Sequence, residues 1–340
     1  MTQARLDLTG TQVLAYRRNV QVLDKRLPPG PESLRRAAWA GLQDSMPRAA
    51  VLSIHARVNE TGPSTLDDPS LVQLWGLRYS VYAVAAQDLA VFSLGRLPDD
   101  QKGRRRAEDY ATRLEAFLNG RKMTDREAAD GLGGVGNRVR YAGPTGRVLI
   151  RWDGARAPVV WTVPAPKVDL GEARLELARR YLRVFGPATP EAFAEWAGIA
   201  PAWGRAAFDA LRQSLLPAYT PVGEGWILAS DEAAFRAKPG PAANARLLPS
   251  GDTYFLLQGA DRHLLVPDAE RRRSLWTPRV WPGAVLVAGE IVGTWRRAGA
   301  IVTIQSWRRL TGKERDAVAA EAESLPLPGI QGQIQVRWDS

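Results

Sequence analysis

The chain of 340 residues contains no cysteine, which excludes disulfides, thiolate-bound metals and a cysteine nucleophile. Histidine is nearly absent as well. His55 and His263 are the only two, too few for a histidine-based metal centre. No stretch approaches the roughly 18 uninterrupted apolar residues of a membrane-spanning helix. The N-terminal Met1-Thr-Gln-Ala-Arg-Leu-Asp lacks the apolar core of a signal peptide. A soluble cytoplasmic monomer with no metal, no cofactor and no membrane partner is expected. With 45% hydrophobic and 24% charged residues, the composition is that of a folded protein, and the length suits two to four domains.

Negative charge is the other shortage, and its location matters more than its total. The net charge is +10. Residues 101–167 carry 14 basic against 7 acidic side chains, whereas residues 1–100, 168–240 and 241–340 stand at +1, −1 and +3. A genome rich in G and C explains arginine in place of lysine, but not a surplus gathered in one quarter of the chain. That quarter is the footprint of a polyanion-binding face.

Punctuation by caps and breakers divides the chain into four units with these same boundaries. In 1–100, helices are expected over 9–19 with Thr9 as cap, over 32–42 after Pro28-Pro29-Gly30-Pro31, and over 48–58. Strand-like residues occupy 74–84, then a short helix 88–94. In 101–167, a helix over 101–118 precedes the capping box Thr124-Asp-Arg-Glu127. Strands are then expected over 137–141, 147–152 and 158–163, with Asp153-Gly154 as a hairpin turn. In 168–240, helices over 172–185, from Thr189-Pro190 to Gly198, and over 201–215 lead into strands at 218–222 and 226–229. The last unit, 241–340, reads as short strands at 254–257, 263–267, 284–288, 290–295 and 301–307, suggesting a small barrel or sandwich. A helix over 311–325 comes next, and the tail 329–340 is a final strand or frayed. Helices leading into a β-hairpin are the ingredients of a winged helix. The fold class expected is α+β: tandem winged-helix (helix-turn-helix) domains, then a small C-terminal β-barrel.

One junction stands out chemically. Gln43-Asp44-Ser45 places three hydrogen-bonding side chains directly before Pro47 and an apolar helical run. Such a step either holds a reactant or caps the helix, since Asp and Ser favour N-caps. His55 reads as a packed histidine rather than a reactive one. Tyr79 and Tyr82 alternate on an expected strand, as core residues or as aromatics that stack on bases. Arg138, Arg140, Arg147, Arg151 and Arg156 around the hairpin are the expected DNA contacts, and Gly103-Arg104-Arg105-Arg106 and Arg271-Arg272-Arg273 are further basic clusters.

With these units laid out, the chain resembles the AlkZ/YcaQ family of bacterial DNA glycosylases. The resemblance rests on Gly41-Leu42-Gln43 before the helix containing Arg57, and on Val72-Gln-Leu-Trp75-Gly-Leu-Arg78. It rests also on Gly186-Pro187-Ala-Thr189, Leu247-Leu248-Pro249 with Asp252, and Gly289-Glu-Ile-Val-Gly293-Thr294-Trp295-Arg296. It implies tandem winged helices with a β-barrel, double-stranded DNA as partner, and hydrolysis of the N-glycosidic bond of alkylated purines in DNA repair. The family's catalytic motif is Gln, an aliphatic residue, then Gln or Asp. Here it reads Gln43-Asp44-Ser45, so these three become the candidate catalytic residues. The family's Arg-Gly-Thr-aliphatic-His becomes Arg78-Tyr79-Ser80-Val81-Tyr82. Arg48, Arg57 and Arg78, beside these motifs, join the expected DNA contacts.

A cationic alkylpurine leaves without a strong acid, so a carboxamide or carboxylate that positions water and steadies an oxocarbenium ion is enough. Two other functions stay open on the sequence. One is a non-catalytic DNA binder, a lesion sensor or transcriptional regulator. The other is a protein-interaction scaffold, which the nearly neutral third unit supports.

Overall fold

The structure is a computed structural model that describes residues 5–46, 48–133, 138–154, 156–256, 259–327, 329–330 and 332–339. Pro47, the Asn137 start of an expected strand, Leu257 and Gln331 lie outside the described residues.

From the N-terminus, β1 (Leu6–Asp7) leads into α1 (Gly10–Val20), whose Thr9 and Gln12 form a reciprocal capping box. α2 (Pro31–Ala37), with proline in its first turn, precedes β2 (Leu42–Gln43) and α3 (Ala49–His55). The apolar run expected over 74–84 is a hairpin, β3 (Leu71–Trp75) and β4 (Val81–Ala85), turned by a short 3-10 segment Leu77–Tyr79. α4 (Leu89–Ser93) closes this part. α5 (Gln101–Leu118) begins where the Asp100 carboxylate accepts the Gly103 amide at 2.6 Å, and it buries Ala107, Ala111, Leu114 and Leu118 on one face. β5 (Met123–Thr124) and α6 (Asp125–Gly131) share the capping box at Thr124. The residues expected as a strand before Gly143 form instead a 3-10 segment, Val139–Thr145, because Pro144 lies inside it and cannot donate to a sheet. The hairpin is β6 (Val148–Arg151) and β7 (Val159–Thr162).

Next come α7 (Leu170–Phe185), α8 (Pro190–Ala197) and α9 (Pro201–Ala210), with Thr189 capping α8 and Gly198 ending it in the left-handed region at φ 69°. They lead to the hairpin β8 (Leu215–Thr220) and β9 (Gly223–Leu228), then α10 (Glu232–Arg236). The rest comprises β10 (Ala245–Leu248), α11 (Asp261–Leu265), α12 (Ala269–Leu275), β11 (Gly283–Val287), β12 (Glu290–Ala298), β13 (Ile301–Ser306), α13 (Gly312–Glu323) and β14 (Gln335–Asp339).

Three sheets form among the described residues, so the chain is mixed α+β. The largest has the order β2-β4-β3-β6-β7-β5 and so joins strands from both sides of residue 100. Its two halves meet through a single registered pair, Gln73 opposite Ile150. β1 adds parallel to β8, tying the N-terminus to the β8–β9 hairpin. The C-terminal sheet, β10-β11-β12-β13-β14, is open: β10 and β14 are its edges, and no closed barrel forms among the described residues. This corrects the expected barrel. The segment expected as a strand near Tyr254 turns tightly around Asp252, and the one around His263 is helix α11. The five strands that do form, with β10 and β14 in place of those two, leave β10 and β14 unpaired with each other, so the sheet stays open.

One apolar cluster runs continuously from Leu74, Tyr82 and Phe92 through Tyr181, Phe185 and Trp196 to Leu248, Phe255 and Trp276, so the sheets pack as one body. Buried ion pairs pin the seams. The Arg57 guanidinium, 2% exposed, donates to both oxygens of Asp252 at 2.7 and 2.9 Å. Arg180 pairs in the same way with Asp88 at 2.7 Å. Removing one member strands the other in a dry interior. Arg57→Ala should therefore cost about 3–5 kcal/mol of unfolding free energy, read by urea denaturation. A loss no larger than that of an exposed arginine would refute the assignment.

Candidate functional site

The motif sits at the edge of the large sheet. Gly41, at φ 73°, turns the chain out of α2 where any side chain would strike the Phe92 ring, its Cβ landing 2.7 Å away. Leu42 and Gln43 then pair antiparallel with Ala83 and Tyr82, and the Asp44 amide donates to Val81 O at 2.7 Å. Strand alternation sets the direction of each side chain: Leu42 points into the core, Gln43 to the partly exposed face, and Asp44 inward again.

Gln43 is therefore the one motif residue presented outward and held. Its Oε1 accepts from Arg78 Nη2 at 3.3 Å, and the same nitrogen reaches Tyr82 Oη at 3.4 Å. Arg78 also donates to the Trp196 carbonyl at the end of α8, where Gly198 leaves room for it. From the other side, the turn at Gly251 lies against the carboxamide, and Thr253 Oγ1 donates to Gly41 O at 3.0 Å. Arg78 and Tyr79 both occupy the left-handed region, at φ 51° and 57°. Tyr79 thus keeps, at a steric cost of about 1–2 kcal/mol, the turn that glycine makes freely.

Asp44 is 1% exposed. Its Oδ1 accepts the Ala50 amide in the first turn of α3 at 2.9 Å, and its Oδ2 accepts from Gln73 Nε2 at 2.6 Å. It serves as a remote cap for α3, the role left open by Arg48, which precedes the helix without a side-chain cap. Burial raises its carboxyl to about 7, opposed by the hydrogen bonds from Ala50 and Gln73. Asp44, expected among the catalytic residues, thus stands with both oxygens engaged inside the protein and out of reach of solvent. Ser45 Oγ is buried without a partner among the described residues. Tyr82 is 1% exposed, and burial raises its phenol. His55 lies between Thr61 Oγ1 and Ser324 Oγ at 2.8 and 3.0 Å, with burial pressing its imidazole down to about 3, so it packs as a neutral ring.

The expected DNA-contact arginines separate into three kinds. Arg57 is buried with its guanidinium on Asp252, facing away from solvent. Arg147 is paired with Glu115 and, at 3.6 Å, Glu108, and Arg151 is paired with Asp67. Arg48, Arg78, Arg138, Arg140 and Arg156 have no carboxylate within ion-pair distance among the described residues, and Arg138 and Arg156 are exposed. Among the described residues, no group of three or more acidic or histidine side chains could hold a metal ion, and no helix is long and apolar enough to cross a membrane.

The model of the AlkZ-like family, described as DNA glycosylase AlkZ-like, matches residues 36–326. The chain belongs to the AlkZ-like DNA glycosylase family. Family membership carries a DNA-repair, glycosylase-like role and DNA as a partner. The fold is similar to that of Streptomyces sahachiroi DNA glycosylase AlkZ, with a TM-score of 0.76 at 18% identity, over 98% of this chain and 100% of that one. No curated protein sequence matches.

Within this AlkZ-like frame, Asp44 stands where the resemblance expects an aliphatic residue, and it points inward as an aliphatic side chain there would. Two site residues escaped the sequence reading. Gln73 binds Asp44 and also Trp152, donating to its carbonyl at 3.3 Å and accepting its amide at 2.9 Å. Its signal was a lone polar residue on the buried strand Leu71–Trp75. Arg297 faces Arg48 across a cleft of about 320 Å³ whose lining includes Met46, Leu52, Trp281 and Trp295. Burial, then the Arg48 charge, lowers the Arg297 guanidinium.

The raised Asp44 carboxyl has a measurable consequence. Folding favours its protonated form, so its contribution is present below the ordinary carboxylate range and is lost as pH rises through about 7. Relative to Asp44→Asn, the wild type should lose on the order of 2–4 kcal/mol between about pH 4 and pH 8. Urea titrations of both proteins across that range measure it, and parallel stability curves would contradict the burial argument.

Proposed function

We propose that the protein binds double-stranded DNA and hydrolyses the N-glycosidic bond of purines alkylated at N3 or N7, including cross-linked ones, with Gln43 orienting the attacking water. The observation that carries this reading is the fixed carboxamide of Gln43, held outward by Arg78 while Asp44 is turned away. Arg78 takes one lone pair of Oε1. The second lone pair and both N–H donors remain for a water. A neutral amide cannot remove a proton, but a cationic purine departs with its bond to sugar largely broken. As the C1′–N bond breaks the purine leaves neutral, and the water adds to C1′ of the oxocarbenium ion and releases its proton to solvent, a step that needs positioning more than a base. The reading fits cationic lesions and disfavours neutral ones, which require a general acid.

The winged-helix reading belongs to the same proposal. α5 and α6 with the β6–β7 hairpin, and α7 to α9 with β8–β9, have the order of two such units. Arg138, Arg140 and Arg156 contact phosphates, joined by Arg78 and Arg48. Bulky-lesion chemistry does not require full extrusion of the base, so flipping is not part of the proposal.

DNA containing N7-methylguanine, incubated with the protein and heated to cleave abasic sites, tests the chemistry. Gln43→Ala should slow release by about 100-fold or more, while duplex affinity stays within about threefold. Release unchanged by the substitution removes Gln43 from the mechanism. A second reading is favoured by the absence of any exposed carboxylate at the motif: a lesion binder without catalysis, which predicts tight binding and no release from the wild type.

Phosphate contact makes a separate prediction. Duplex affinity should fall steeply with salt, and neutralising Arg138 or Arg140 should each shallow the log–log slope by about 1. Fluorescence anisotropy over a salt series measures this. An unchanged slope in both variants would place the DNA elsewhere.

A further inference from the structure

One residue beyond Arg78 begins an aromatic and cationic surface that the proposed chemistry does not use. We propose that Tyr79, Tyr110 and Tyr141, with Arg106 and Arg140, form a stacking subsite for an unpaired nucleobase of the DNA strand that passes Gln43. The inference rests on the DNA-binding reading above and adds a ligand chemistry to it.

The rings come from three separate elements: the turn after β3, the helix α5 and the 3-10 segment Val139–Thr145. Tyr79 and Tyr141 meet edge to face at 5.3 Å and 80°, and Tyr110 joins Tyr141 at 6.2 Å. All three are half-buried, leaving ring surface in reach of solvent. Guanidinium groups layer on them. Arg106 lies 3.9 Å over Tyr141, Arg96 lies 4.1 Å over Tyr79, and Arg140 is within 6 Å of both rings.

What distinguishes this cluster from a packing motif is its charge. In the same quarter Arg113 pairs with Asp109, Arg147 with Glu115 and Arg151 with Asp67, while Arg138 and Arg156, without a carboxylate within ion-pair distance among the described residues, stand exposed to water. Here Arg78, Arg96, Arg106 and Arg140 have no carboxylate within ion-pair distance among the described residues. Arg96 is 4% exposed and bonds to the carbonyls of Trp75 and Gly76 and to the Tyr79 side chain, and the Nε atoms of Arg96 and Arg140 are buried without partners among the described residues. Such cations gain from an arriving anion. The Tyr141 phenol is also held below its ordinary range by hydrogen bonding from Arg140, then by the neighbouring Arg106.

Flat rings alternating with uncompensated guanidiniums match a nucleotide strand, in which a flat base alternates with a phosphate. Arg106, exposed on α5, is free to leave the Tyr141 face for a phosphate and let a base take its place. An acidic peptide would satisfy the charge but leave the rings unused.

The test uses the full-length protein and two duplexes of one sequence. One is fully paired; the other carries 2-aminopurine opposite an abasic-site analogue, so that one base is unpaired. The wild type should bind the second at least about tenfold more tightly, with a change in 2-aminopurine emission on binding. Tyr141→Ala should lose about 10- to 100-fold of affinity for that duplex, and Tyr141→Phe should stay within about twofold. Arg106→Ala, a change at an exposed helix position, should lose about three- to tenfold and guards against misfolding at Tyr141. Equal wild-type affinity for the two duplexes, wild-type behaviour in both alanine variants, or equal loss in Phe and Ala would overturn the subsite. In each of those cases salt-dependent binding of the paired duplex still upholds the DNA-binding reading. No binding to either duplex would overturn both.

Discussion

The site depends on one buried pair, Arg57 with Asp252. Arg57 stands just beyond the last residue of α3 and Asp252 in the turn after β10, 195 residues away. Asp252 uses its carboxylate twice, accepting from Arg57 and from the Tyr254 amide at 2.9 Å. That fixes the turn whose Gly251 lies against Gln43 and whose Thr253 bonds Gly41. The motif strand is thereby held between the large sheet and the C-terminal part of the chain. A fully desolvated bidentate pair contributes little net stability against an apolar replacement, but it tolerates only one geometry. Its value here is registration.

Asp44 shows how a motif changes role without a change of fold. Strand alternation gives it an inward direction, where a carboxylate is costly unless satisfied. The chain satisfies it with an α3 amide and with Gln73, gaining a helix cap in a helix of only seven residues. The acid is then spent on structure. What faces outward is a neutral carboxamide, and the proposed chemistry suits it because a cationic leaving group needs no acid.

Much of this architecture was legible in local sequence. The cap at Thr9 and the capping box at Thr124 mark helix starts, and the helix expected over 101–118 is found with the same bounds. Asp153-Gly154 marks the hairpin between β6 and β7. What local sequence cannot show is long-range pairing. Arg57 reads as a free cation until Asp252 is brought to it, and Asp44 reads as reactive until β2 pairs with β4. The apolar run near His263 fits a strand or a helix equally well, and which strands pair at the edges, β10 and β14 here, is likewise a long-range outcome. Gln43 was the motif residue whose placement came from its position in the strand.

The single registered pair between β3 and β6 places Gln73 where the two halves of the large sheet meet. Its carboxamide holds Trp152, just after β6, and Asp44, just after β2, at the same time, so one side chain links the β6–β7 hairpin to the motif strand. Arg151 ties the same halves a second time, donating to Leu66 O and pairing with Asp67, while Trp75 and Val81 share one apolar cluster with Val148 and Ile150. The motif strand and the basic hairpin are thus parts of one braced sheet, and a change at Gln73 is felt by both.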